Sequence, residues 1–135
     1  MGAPTLSWTN LFVDDLEALP AFYLDVFGFS EIPEMRNPVF RGISTGRTNI
    51  GFMSPAVYGV LDLEDESSTS GVSFLLNVEV DSTDEVDRLT AEAIAKGATL
   101  RKPAGMTSYG WYLSVLLDPE RNVLRISKVV DGPSF

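Results

Sequence analysis

Two sets of residues alternate along positions 8–13, and this period of two predicts a β-strand with two different faces. One face would carry Thr9, Leu11 and Val13, and the other Trp8, Asn10 and Phe12. After this strand, apolar residues recur every three or four positions from Leu19 to Phe27, which predicts an amphipathic helix. Pro20 fits the first turn of a helix but not its interior, so we expect the helix to begin near Leu19. Gly28 supplies the left-handed residue that commonly ends a helix.

The same order of elements recurs in the second half of the chain. Apolar residues alternate along 72–80, which predicts another strand, and Ser82 with Glu85 has the spacing of a capping box that begins a helix. Gly97 is placed to end this helix, as Gly28 ends the first. The strand ends at 13–14 and 80–81 both read Val-Asp and lie 67 residues apart.

The strands that follow the helices also match. The segment "GRTNIGFM" (46–53) aligns with "ERNVLRIS" (120–127) at an offset of 74 residues. Each half is therefore predicted to be a strand, a helix and three further strands. Neither half can bury a sheet face alone, so we expect an α+β fold in which two βαβββ modules form one curved eight-stranded mixed sheet. The helices would cover the outer face and leave a concave ligand cleft.

The predicted organisation is a single domain over residues 1–135. Module one covers about 6–56, an acidic and Ser-rich linker about 57–70, and module two about 71–130.

Composition excludes several kinds of chemistry. The chain has no cysteine and no histidine, so thiolate catalysis, disulfides, sulfur-ligated metals and imidazole acid–base catalysis are excluded. The net charge of −9 argues against a nucleic-acid partner and suits a cationic ligand. No apolar run approaches the roughly 20 residues of a membrane span, and no signal-like leader is present, so we expect a cytoplasmic protein without a membrane partner.

Three segments of the chain resemble the vicinal oxygen chelate superfamily, which contains glyoxalase I, bleomycin-resistance proteins and extradiol dioxygenases. They are "LFVDDLEALPAFYLDVFGF", "VEVDSTDEVDRLTAEAIAKGATL" and "YGWYLSVLLDPERNVLRI". The resemblance extends over about residues 6 to 128. The Phe22-Tyr23 pair and the Asp118-Pro119 turn with Asn122 are its most specific points.

In the superfamily's enzymes, four strand positions hold a divalent metal, usually through His, Glu or Gln. The resemblance places these positions at Trp8, Gly51, Arg125 and, at or near, Leu75. None of these residues offers an oxygen or imidazole donor suited to such an ion, and an arginine repels a cation. We therefore expect no metal site and no cofactor.

Without a metal, the concave face is expected to be a ligand pocket, lined by residues that alternate toward it. They are Trp8, Asn10, Phe12, Gly51, Leu75, Asn77, Glu79, Trp111 and Arg125. Glu79 and Arg125 are the two charges expected to point inward, and they either pair with each other or remain available. An available Arg125 would bind a carboxylate or phosphate, and Glu79 would be a candidate catalytic base.

Three functions remain open from the sequence. The first is a small-molecule binder without a metal, as in the bleomycin-resistance branch, with a cationic drug as one type of ligand. The second is a metal-independent enzyme that acts on a carbonyl-type substrate through Glu79 or a tyrosine. The third is a non-catalytic interaction or scaffold subunit. The resemblance also implies a homodimer, to which the tail "KVVDGPSF" (128–135) would contribute.

Overall fold

The structure is a computed structural model that describes residues 6–67, 71–72 and 74–131. The chain divides into two compact units, Met1–Ser70 and Gly71–Phe135. The division falls at the end of the predicted linker, of which residues 68–70 lie outside the described residues, as do residues 132–135 of the tail.

The described part of unit Met1–Ser70, residues 6–67, contains four strands and two helices, with short 3-10 turns at Pro33–Met35 and Glu64–Glu66. The elements are β1 (Trp8–Phe12), α1 (Ala18–Phe27), β2 (Ser30–Glu31), β3 (Phe40–Ser44), β4 (Asn49–Met53) and α2 (Val57–Val60).

Unit Gly71–Phe135 contains four strands and one helix among its described residues. The elements are β5 (Leu76–Glu79), α3 (Thr83–Ala95), β6 (Thr99–Met106), β7 (Trp111–Leu117) and β8 (Val123–Val129).

The predicted eight strands and two βαβββ modules are confirmed. Backbone hydrogen bonds group the described strands into two mixed four-stranded sheets, in the orders β1-β4-β3-β2 and β5-β8-β7-β6, instead of one continuous ladder of eight. In each sheet the first strand of the module pairs in parallel with the last, and the other pairs are antiparallel. Each module therefore forms its own four-stranded sheet, with β1, β2, β5 and β6 as edge strands.

The register of the two sheets confirms the internal repeat. In the first sheet Leu11 lies opposite Phe52, and in the second Val78 lies opposite Ile126. These are the positions that the 67- and 74-residue offsets relate. Phe52 and Ile126 are both fully buried, so each repeat turns the same side of its last strand into the core.

Helix α1 buries its apolar face, and the Tyr23 ring lies 5.9 Å from the Phe52 ring between their centroids. The helix begins at Ala18, one residue before the predicted start. Its last residue is Phe27, and Gly28 caps it with a left-handed φ of 70°. Helix α3 packs against β7 and β8. The Ser82 hydroxyl accepts a 3.1 Å hydrogen bond from the Glu85 amide, which confirms that half of the capping box.

The strand predicted over 72–80 is shorter in the structure. It begins at Leu76, and Val72 and Phe74 are 72% and 48% exposed; residue 73 lies outside the described residues. The partner strand β8 first pairs with β5 at Leu124, so upstream residues have no ladder partner within the described chain. Alternating apolar residues alone do not form a strand where no neighbour supplies hydrogen bonds.

Candidate functional site

One face of the β1-β4-β3-β2 sheet carries the residues that sequence alternation selected in the first module. Asn10 lies opposite Gly51, and Gly51 lies opposite Gly42, so these three residues form one row across three strands. Trp8 and Phe12 flank Asn10 on the same face, since the intervening Leu11 turns into the core and is 3% exposed.

The two glycines form a floor beneath aromatic rings. A Cβ built on Gly42 would lie 2.9 Å from Cη2 of Trp8, and one built on Gly51 would lie 2.8 Å from Cζ of Phe40. The Asn10 amide oxygen also lies directly over Gly51. Both glycines are buried, whereas Trp8 and Phe40 are half-buried.

Trp8 and Phe40 form a tilted ring pair with centroids 5.9 Å apart and planes at 58°. We call Trp8 and Phe40, resting on Gly42 and Gly51, the aromatic shelf. Any larger residue at either glycine would displace these rings, so the shelf depends on the absence of two side chains. The aromatic shelf is a partly exposed surface that a planar apolar group can contact.

Phe12 belongs to a neighbouring feature of the same unit. Its ring stacks on Tyr58 with centroids 3.8 Å apart and planes at 9°. The pair borders an open cavity of about 390 Å³. The cavity is lined by Phe12, Asp14, Pro55, Tyr58 and Ser67.

The β5-β8-β7-β6 sheet holds a polar cluster made by the corresponding positions of the second module. Arg125 lies opposite Asn77 in the ladder, and its Nε donates a 2.7 Å hydrogen bond to the Asn77 Oδ1. The Ser127 hydroxyl donates to the same oxygen at 3.0 Å. The Arg125 guanidinium carbon lies 5.2 Å from the centroid of the Trp111 ring, within cation–π range.

Trp111 and Tyr112 lie on opposite faces of this sheet. Trp111 is on the same face as Arg125 and is 4% exposed. The centroid of the Tyr109 ring lies 6.1 Å from that of the Trp111 ring. The Tyr112 hydroxyl donates a 2.7 Å hydrogen bond to Asp87 of α3. This hydrogen bond, with the nearby carboxylate charge, raises the pKa of Tyr112 above its ordinary value.

Glu79 is exposed and lies opposite Ser127, two residues along β5 from Asn77. Among the described residues, no ion pair joins Glu79 to Arg125, so the structure does not form the first of the two alternatives, in which these charges pair with each other. Asn77 takes the place of the carboxylate because it stands directly across the ladder from Arg125. Leu75 lies one residue before β5 and is 43% exposed.

Sequence reasoning missed Phe40 and Gly42, which complete the aromatic shelf. Phe40, Gly42 and Ser44 alternate along β3, so the period-2 pattern would have placed them on one face had this strand been identified. That the Phe40 ring lies over Gly51 could not be deduced in the same way, because it depends on the register of β3 with β4.

The residues at the expected metal positions do not fit a divalent ion. Trp8, Gly51 and Leu75 offer no side-chain donor for such an ion, and Arg125 brings a positive charge. Throughout the part of the chain that the structure describes, no group of three His, Cys, Asp or Glu side chains is arranged to hold a metal. The described helices also include none that is long and apolar enough to cross a membrane.

Two βαβββ modules, each with its first and last strands paired in parallel, have the architecture of glyoxalase-fold proteins. The sequence model of the Glyoxalase/Bleomycin resistance protein/Dioxygenase superfamily matches residues 5–126. The chain therefore belongs to this superfamily, as its resemblance to vicinal oxygen chelate proteins implied.

Solved structures support the same assignment. The chain is 51% identical to a glyoxalase/bleomycin resistance protein/dioxygenase family enzyme from Burkholderia phytofirmans PsJN, over 92% of this chain and 98% of that one, with a TM-score of 0.90. It is 22% identical to a lactoylglutathione lyase from Agrobacterium tumefaciens, over 95% and 96% of the two chains, with a TM-score of 0.69. The second likeness shows the fold alone. None of the curated proteins compared with the chain matches it.

Proposed function

We propose that this chain is a metal-independent member of its superfamily that binds a small molecule, and that the aromatic shelf holds a planar apolar group of that ligand. The observation that carries the proposal is the pair of buried glycines beneath Trp8 and Phe40. Gly51 stands at one expected metal position and Trp8 at another, so the sheet face that would carry metal ligands carries rings over bare backbone instead.

The exposure of the rings supports binding over simple core filling. Residues that only fill a core are buried, as Phe52 is on the other side of β4 at 0% exposure, whereas Trp8 and Phe40 remain partly exposed. A ring stacked on such a surface gains about 0.5–1.5 kcal/mol beyond its area burial. The net charge of −9 and the electron-rich face of Trp8 also suit a cationic planar guest.

Native mass spectrometry of the purified protein, with and without added Zn²⁺ and Mn²⁺, tests the metal-independent half of the proposal. We expect a dimer, as the resemblance implies, that binds no stoichiometric metal and carries a small-molecule adduct when purified gently. One metal ion retained per subunit after desalting would overturn the proposal.

Titration with two planar probes, cationic proflavine and neutral 1-naphthol, tests the aromatic shelf. We expect Trp8→Ala to weaken binding of the better probe about three- to tenfold, because one stacking partner is lost. Phe12→Ala is the matched control, since Phe12 lies on the same strand and face but stacks on Tyr58. Equal losses in the two variants, or no binding of either probe to the wild type, would contradict the assignment.

A further inference from the structure

Arg125 is held in a fixed orientation that leaves part of its guanidinium available. Its Nε donates to Asn77, its plane lies near the Trp111 ring, and Ser127 fixes the Asn77 oxygen from the other side. Among the described residues, neither terminal nitrogen of Arg125 has a hydrogen-bond or ion-pair partner within the unit. A positioned guanidinium with two unoccupied terminal NH₂ groups presents a fork that matches a carboxylate.

We propose that Arg125, oriented by Asn77 and Trp111, is a binding site for the carboxylate of a small organic acid. The two terminal nitrogens would donate to the two carboxylate oxygens end-on, because the side-on approach through Nε is occupied by Asn77. This site belongs to the unit Gly71–Phe135 and does not depend on the aromatic shelf or on the proposed function of that shelf.

The charges on this sheet face favour a carboxylate over a phosphate. Glu79 lies on the same face and opposes any anion, while Lys102 lies opposite Val115, which in turn lies opposite Arg125. Lys102 is thus two strands away, about 10 Å, from Arg125. Arg125 is the cation directly available to a ligand, and the Glu79 carboxylate lies on the same face, so the site suits a ligand with one negative charge better than a dianion.

Chemical-shift perturbation of ¹⁵N-labelled protein by benzoate tests the proposal, with benzamide as the neutral analogue of the same shape. We expect benzoate to shift the Arg125 Nε–H, Asn77 side-chain and Trp111 indole signals, and to bind about tenfold or more tightly than benzamide, because hydrogen bonds to charged groups are the stronger kind. Equal affinity for the two probes, or no shift of these three signals at 50-fold molar excess of benzoate over protein, would overturn the proposal.

Variants separate the fork from general electrostatics. Arg125→Gln is expected to weaken benzoate binding about tenfold or more, and Arg125→Lys to restore only part of it, because the charge remains but the fork is lost. Lys128→Gln is the matched control, since it removes a positive charge from the opposite face of β8, where Lys128 lies across from Tyr112. If it weakens binding as much as Arg125→Gln, the site is not the one proposed.

Glu79→Gln provides a test in the opposite direction. Removing the carboxylate that opposes the anion should tighten benzoate binding about two- to fivefold, with a smaller gain at high salt. Unchanged or weaker binding in this variant would contradict the placement of benzoate beside Arg125. None of these measurements involves Trp8, so they can disprove the anion site without testing the aromatic shelf. The probe titrations of the Trp8 variant can likewise disprove the shelf without testing the anion site.

Discussion

Adding one methyl group to Gly51 tests whether the aromatic shelf depends on bare backbone. The Cβ of a Gly51→Ala variant would approach Cζ and Cε1 of Phe40 at 2.8 and 2.9 Å, nearer than carbon atoms pack. The Asn10 amide would also have to move, but Asn10 is exposed and can rotate away at little cost. The Phe40 ring can move only by disturbing its contact with Trp8.

The expected magnitude comes from comparing this change with the same change elsewhere. Overpacking costs about 1–3 kcal/mol. Replacing glycine by alanine in a strand also stabilises by about 0.4–1 kcal/mol, largely through the unfolded chain. A Cβ added to Gly105 of β6 would have no atom within 4 Å, so Gly105→Ala should gain the stabilisation that acts through the unfolded chain without any cost of overpacking. We therefore expect Gly51→Ala to be about 1–3 kcal/mol less stable than Gly105→Ala.

Urea unfolding followed by far-UV circular dichroism measures both variants against the wild type. Gly42→Ala should lower the free energy of unfolding about as much as Gly51→Ala, because its Cβ would lie 2.9 and 3.1 Å from two atoms of the Trp8 ring. The reasoning is refuted if Gly51→Ala and Gly105→Ala have equal free energies of unfolding. That result would mean that the rings move freely and that the glycines beneath them have no steric role.

Two further predictions concern polar contacts away from the candidate sites. The hydrogen bond from Arg36 to Glu31 lowers the pKa of Glu31 in the folded state. The stability that this hydrogen bond contributes is therefore present above the pKa of Glu31 in the unfolded chain, and it is lost as the pH falls through the pKa of Glu31 in the folded protein. Arg36→Ala should make the urea midpoint decline less between about pH 5 and 3, and an unchanged decline would contradict this. The buried hydroxyls of Thr90 and Ser114 lie 2.7 Å apart, and the Thr90 hydroxyl donates to the Val86 carbonyl at 2.6 Å, so Ser114 is the donor to Thr90. Ser114→Ala should cost about 0.5–1.5 kcal/mol of unfolding free energy, because one buried hydrogen bond is lost while Thr90 keeps its bond to Val86. The double variant with Thr90→Val should cost less than the sum of the two single variants, and simple additivity would show no coupling.

Local sequence signals predicted the repeat well. The Val-Asp strand ends, Gly28 and the Ser82 cap mark boundaries through interactions within a few residues, and the structure confirms them. The offset between 46–53 and 120–127 likewise reappears as matching ladder registers. These features depend on nearby atoms or on a repeated pattern, so a single sequence contains them.

Contacts between strands distant in sequence were harder to predict. One of the two alternatives for Arg125 was a pairing with Glu79, the opposite charge, but the ladder places Asn77 across from it. The early start of the fifth strand failed for a similar reason, because Val72 and Phe74 have the right alternation but no paired neighbour within the described chain. Register decides both outcomes, and local composition does not determine register.

The matching ladders also make each half of the chain a reference for the other. Asn10 and Asn77 occupy equivalent positions, each opposite a residue of the last strand, yet that residue is Gly51 in one half and Arg125 in the other. Duplicated halves of this kind can diverge one position at a time while the backbone around that position stays the same. The exchange is not symmetric: Arg125→Gly would leave bare backbone in the second half, as in the first, whereas an arginine at Gly51 would displace the rings of the aromatic shelf.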